Sequence, residues 1–243
     1  MEVRSGERLD DLGRGGLRII QHPERFPFAM DPVLLAHFVT VRQRSRILDL
    51  GTGCGIIPLL LSALHPTAQI TGLELQPETA DMAARSVALN GLTERTRIDC
   101  GDYRQVAQLY GHGKFDLVTL NPPYREPGTG AISPGAGRAG ARHELAGGLS
   151  EALGAAAVAV KFGGRVGVVF LSERLADLFV HMRAGRLEPK RMRLIHPREG
   201  RPANLVLVEA VKGGGPGLKV EPPLTVYAEG QTYTAEVLSI YGA

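Results

Sequence analysis

The chain has 243 residues, 44% of them hydrophobic and 22% charged, which suits one α/β core with a modest extension and excludes wholesale disorder. A net charge of +3 permits a polyanionic partner without requiring one, and Cys54 and Cys100 lack the spacing of a zinc site or a disulfide framework. The opening MEVRSGERLDD has no signal-peptide core and no apolar run is long enough to span a bilayer, so a cytoplasmic, membrane-free and metal-free protein is expected, acting as a monomer.

Residues 1–30 carry Gly13, Gly15 and Gly16 ahead of Leu17-Arg18-Ile19-Ile20, which predicts turns and short strands forming an extension or lid before a helix from Pro32 to Val41. Arg46 to Leu50 reads as a buried strand, followed by a glycine loop and a helix from Ile56 to Leu64. Gln69 to Leu73 gives a second strand, and Pro77 opens a helix that Asn90-Gly91 stops. Arg97 to Cys100 and Phe115 to Leu120 are further strands; Glu144 to Lys161 reads as a helix and Arg165 to Leu171 as a strand after Gly163-Gly164. A helix from Ser172 to Arg183 precedes Met192 to Ile195 and Leu205 to Val211, which are joined without a helical pattern and read as a hairpin. Alternating strand and helix predict a doubly wound, mostly parallel, seven-stranded sheet with an antiparallel edge hairpin. The main domain is expected over 31–212, and GGGPG at 213–217 links it to a tail over 213–243.

At the end of the first strand of the alternation stands Asp49-Leu50-Gly51-Thr52-Gly53-Cys54-Gly55. The Gly-x-Gly-x-Gly spacing departs from the dinucleotide fingerprint, and an anionic residue just before it suits a cationic ligand such as S-adenosylmethionine. Glu74 closes the second strand, where a carboxylate can accept both ribose hydroxyls. Asp102 follows the third, placed to accept from an adenine amine, with Tyr103 beside it to lie on the ring. A tight turn or a helix cap would explain any one of these residues; three acidic residues at three successive strand ends point to a cofactor site over Asp49, Gly51, Thr52, Gly53, Gly55, Glu74, Asp102 and Tyr103.

The fourth strand ends on Asn121-Pro122-Pro123-Tyr124. An aromatic amine is a weak nucleophile because its lone pair is spread into the ring, and two hydrogen-bond acceptors can localise it. The Asn121 side-chain oxygen and the Pro122 carbonyl are such acceptors, Pro123 stiffens the turn, and Tyr124 can stack on a base. Out of this context the tetrapeptide is equally an ordinary turn.

Taken with Gln21, Asp31-Pro32-Val33-Leu34-Leu35-Ala36, Ala141-Arg142-His143-Glu144, Pro222-Pro223-Leu224 and Ile240-Tyr241-Gly242, the chain resembles the tRNA(Val) adenine-37 N6-methyltransferases of the class I Rossmann-like superfamily. The resemblance implies an S-adenosylmethionine cofactor, a tRNA partner, transfer to the N6 of an anticodon-loop adenine, and a segment from Phe28 to Asp31 that closes over the methionyl part. The chain departs from the family at Arg125, where an aromatic residue is common; stacking is then left to Tyr124, and Arg125 is free to meet a phosphate. Seven basic residues between Arg183 and Arg201, among them Lys190, Arg191 and Arg193, could track a phosphate backbone together with Arg142, although a solvated face explains them as well. Two rival readings stand: amino-methylation of rRNA, DNA or a protein glutamine, and a non-catalytic module that binds RNA or the cofactor.

Overall fold

The computed structural model describes residues 3–22, 30–122 and 148–242. Two short strands, β1 (Arg8–Asp11) and β2 (Arg18–Gln21), form an antiparallel hairpin ahead of α1 (Met30–Phe38). Then come β3 (Arg46–Leu50), α2 (Ile56–Leu64), β4 (Gln69–Glu74), α3 (Pro77–Leu89) and β5 (Thr96–Cys100). A 3-10 turn over Tyr103–Gln105 leads into the short α4 (Val106–Tyr110) and β6 (Phe115–Leu120). The described chain resumes in α5 (Leu149–Ala159), β7 (Val160–Leu171), α6 (Leu175–Ala184), β8 (Leu187–Arg198) and β9 (Leu205–Lys212). The tail adds β10 (Lys219–Val220), β11 (Leu224–Tyr227) and α7 (Ala235–Tyr241).

The main sheet runs β10-β8-β9-β7-β6-β3-β4-β5, with β11 also on β8. Only β9 is antiparallel, paired to β7 on one side and β8 on the other. Each strand alternates its side chains between two cores, as a doubly wound sheet requires. Ile47, Ile70, Leu117 and Val169 face α1, α2 and α3, while Leu48, Val118, Val168 and Phe170 face α4, α5 and α6. The N-terminal hairpin docks on α3 through polar bonds: Asn90 exchanges two with the Arg18 backbone, Ser86 accepts from the Ile20 N–H at 2.9 Å, and Arg85 forks onto Glu7.

Several expectations need correction. The sheet has nine strands rather than seven, because the tail supplies β10 and β11; at two and four residues these are too short to show a period in sequence. The antiparallel strand is interior, since β9 inserts between β7 and β8 and the outer edge of β8 takes parallel partners. β7 begins five residues before Arg165, with a register shift against β6 where Gly163 adopts φ 71°. β8 begins five residues before Met192 and accommodates Pro189 at a bulge, where a missing N–H breaks no regular ladder. The expected helix from Ser172 opens as a 3-10 turn and becomes α-helical at Leu175.

Candidate functional site

Gly51, Gly53 and Gly55 all have positive φ, 68°, 56° and 85°, so the chain turns in a way that side-chain-bearing residues resist. The turn is pinned to its neighbour: Gly51 and Thr52 N–H both donate to the Leu73 carbonyl, at 2.9 and 3.0 Å. Glu74, at the next strand end and 8% exposed, accepts from Gly53 N–H at 2.9 Å and from Gln76 N–H at 3.0 Å, one per carboxylate oxygen. Each oxygen keeps a second lone pair, and the carboxylate is fixed before any ligand arrives. Gly72 makes this approach possible, because a Cβ there would lie 2.8 Å from Ile98 and 2.9 Å from the Thr52 side chain.

Asp49 is 1% exposed and pairs in register with Thr119 on β6. The Thr119 hydroxyl donates to Oδ1 at 2.7 Å. Burial pushes the Asp49 carboxyl up to about 7, tempered by the hydroxyls of Thr52 and Thr119 and reinforced by the charge of Glu74. Neither Asp49 Oδ2 nor Thr52 Oγ1 has a well-formed hydrogen bond. Of the six buried side-chain polar atoms without a partner among the described residues, five belong to Asp49, Thr52, Gln21 and His22. The Gln21 amide, 0% exposed, has both atoms unpartnered. Such orphans are rare in folded proteins and concentrate at functional sites. The end of β2 lies beside the loop: Ile20 bonds Ser86 of α3, and Ala83, one turn earlier, sits 3.1 Å from where a Gly55 Cβ would be.

Asp102 caps the 3-10 turn by accepting from Arg104 N–H at 2.9 Å. The Arg104 guanidinium also grips it, and those hydrogen bonds hold its carboxyl below the usual range. Tyr103, half-buried, packs against the core that includes Val106 and Leu149. The register pairing of Leu50 with Leu120 carries the ends of β3 and β6 out together, so Asn121 and Pro122, both half-buried, emerge alongside Gly51. Asp31 lies in the first turn of α1, near Tyr241 of α7, whose phenol is raised by burial first and, to a lesser extent, by Tyr233, Tyr227 and the charge of Asp31. Phe28, Pro123, Tyr124, Arg125 and Arg142 lie outside the described residues.

The three basic residues of β8 have internal employment. Lys190 donates to the carbonyls of Gly215 and Pro216, both at 3.1 Å. Arg191 stacks on Phe38 at 4.2 Å, donates to the Phe38 carbonyl and pairs with Glu221 at 3.5 Å. Arg193 bonds the Pro222 carbonyl at 2.9 Å and Glu236 at 2.6 Å. All three fasten the tail to the sheet. Sequence reasoning missed Thr119 and assigned Gln21 no role; a polar residue within an apolar strand, two positions before Asn121, was the available signal for Thr119.

Residues 30–134 match the family model of the methyltransferase small domain. The tRNA1(Val) (adenine(37)-N6)-methyltransferase of Yersinia pestis (strain Pestoides F) is 40% identical over 98 residues, covering 40% of this chain and 39% of that protein. The chain thus spans about two fifths of the length of the curated relatives it matches. Among solved structures, a predicted O-methyltransferase from Agrobacterium tumefaciens, protein Atu636, superposes with a TM-score of 0.72 at 25% identity, over 88% of this chain and 96% of that one. The [4+2]-cyclase SpnF shares the fold at a TM-score of 0.56 and 16% identity, over 76% of this chain and 81% of that one. Residues 30–134 are therefore similar to the methyltransferase small domain, and the sheet they begin has the fold of the class I, S-adenosylmethionine-dependent methyltransferases.

Proposed function

We propose that the protein transfers a methyl group from S-adenosylmethionine to the exocyclic N6 of an adenine in tRNA, at anticodon-loop position 37 of a valine tRNA by its likeness to the curated relatives. The observation that carries this reading is the register of β3 with β6, which brings Asn121 and Pro122 out beside the Gly51–Gly55 turn. Adjacent strands lie about 4.8 Å apart, so a ligand seated on that turn is next to Asn121. S-adenosylmethionine supplies an electrophilic methyl on a sulfonium. The chain supplies the rest: Glu74 holds the ribose hydroxyls, Asp102 and Tyr103 meet the adenine of the cofactor, and Asp49 presents negative potential to the cationic end. Asn121 Oδ1 and the Pro122 carbonyl each accept one N–H of the target amine, localising its lone pair. Tyr124 stacks on the base and Pro123 stiffens the turn. No strong base is needed, because the amine becomes far more acidic once methylated, and orientation provides most of the rate.

An unpaired anticodon-loop base needs little energy to enter such a site. The decisive experiment incubates the protein with labelled S-adenosylmethionine and unmodified total RNA, followed by mass spectrometry of the nucleosides. Label in N6-methyladenosine from tRNA is expected; label confined to rRNA, protein or duplex DNA overturns the tRNA assignment. Asn121→Ala should retain cofactor affinity while transfer falls at least about a hundredfold. Unchanged transfer would remove Asn121 from the chemistry.

A further inference from the structure

A second concavity lies at the opposite end of the strands from the proposed catalytic turn. The link between β5 and β6 holds the 3-10 turn and a five-residue helix, α4, roughly 7.5 Å long, whereas a five-residue strand runs about 17 Å. The amino ends of β3, β4 and β5 are therefore left partly uncovered on this face, around a cavity of about 370 Å³. Arg46, Gln69 and Arg97 line it from the three strand ends, Thr93 and Arg95 from the preceding turn, and Phe115 from β6. Glu94 is its one acidic lining residue.

Two of the guanidinium groups here lie over aromatic rings. Arg46 lies over the Phe115 ring, 5.6 Å from its centroid, and its side chain has no ion-pair partner among the described residues. Arg97 lies over Tyr110 at 5.9 Å, with Nε 3.3 Å from Asp99, which also accepts from the Tyr110 hydroxyl at 2.7 Å. Arg95 donates through Nη1 to the Ser62 carbonyl at 2.6 Å. A guanidinium near an aromatic ring still has N–H groups to offer for bidentate recognition of an anion. After Glu94 and Asp99 are set against the three arginines, and Asp116, which accepts from the Arg46 N–H, against Lys161, one positive charge remains. The volume admits a phosphate with its attached sugar.

We propose that this cavity binds a phosphate ester, with the forks of Arg46 and Arg97 on the anionic oxygens and with Gln69 and Thr93 on sugar hydroxyls. The ester can be a backbone phosphate of the RNA or a free nucleotide; the first source rests on the proposed function, the second does not. Binding of adenosine 5′-monophosphate and of an anticodon stem-loop should be measured, by NMR titration and by fluorescence anisotropy against salt, for the native protein, Arg46→Gln/Arg97→Gln and Glu94→Gln. In whichever arm holds the natural source, the double variant should bind at least about tenfold more weakly, and Glu94→Gln severalfold more tightly. In the RNA arm the salt slope should also fall by about 1 to 2, with S-adenosylmethionine affinity unchanged. A response to the nucleotide alone makes the source a free nucleotide. If neither arm responds to either variant, the cavity is not a phosphate site, and the nucleotide arm decides this even if tRNA proves not to be a substrate.

Discussion

Asp49 sits 1% exposed with one oxygen bonded to Thr119 and the other without a well-formed bond among the described residues, so its proton is held more firmly folded than unfolded. With a folded value of about 7 against an ordinary 3.8, the stability this group contributes is complete below about pH 4. It is lost as pH rises to 7. Melting temperature without cofactor should therefore decline across that window, and Asp49→Asn should flatten the decline. A cationic ligand favours the carboxylate, so affinity for S-adenosylmethionine should rise severalfold from pH 6 to 8 with release of a proton. Calorimetry in buffers of different ionisation enthalpy reads that release, and a pH-independent affinity would mean that Asp49 does not face the sulfonium end. Gln21 makes a companion case. Its amide, buried without a partner among the described residues, costs on the order of 1–3 kcal/mol, so Gln21→Met, of similar shape, should raise the melting temperature by several degrees. A fall would show that the amide is satisfied after all.

At the scale of elements, one carboxylate ties four pieces together. Glu209 of β9 accepts from Thr40, just beyond α1, through both the backbone N–H at 2.6 Å and the hydroxyl at 3.1 Å. Arg165 of β7 pairs with it at 2.7 Å, and Arg191 of β8 lies at 4.0 Å. Glu209→Leu would strand Arg165, while Arg191 keeps Glu221; because Arg165 remains about a quarter exposed, the expected loss is about 2–3 kcal/mol in urea unfolding rather than the full value for a buried pair. None of this hub could be read in sequence, where Glu209 merely interrupts an apolar strand. What was legible had a local cause. β3, α2 and β6 fall at the expected residues because apolar runs end at glycines or prolines, and the Gly51–Gly55 turn shows itself by its φ demands. The rest depended on partners distant in sequence. The contacts of Lys190, Arg191 and Arg193 with the tail could not be read from the basic run alone, and α4 is too short to show a helical period.

For the molecule as a whole, the tail is part of the fold. Leu224, Val226 and Val237 are buried in the core shared with α1 and α2, and β11 covers the edge of β8. Ending the chain at residue 217 would expose that edge and the apolar face behind it, a template for pairing with other chains. Light scattering after size exclusion should show self-association, and a truncated protein that stays monodisperse with native stability would mean the tail contributes little. The first described residues depend on the last. The Arg14 guanidinium bonds the Ile240 carbonyl at 2.6 Å and His37 Nε2 at 3.0 Å. Burial, aided by the charge of Arg14, drives the His37 pKa down to about 4, so the neutral ring is the acceptor. A Cβ on Gly242 would come within 3.8 Å of the Gly13 carbonyl. During synthesis, then, the hairpin must wait for a helix that leaves the ribosome more than two hundred residues later, Arg14 and Ile240 being 226 positions apart, before that corner can lock.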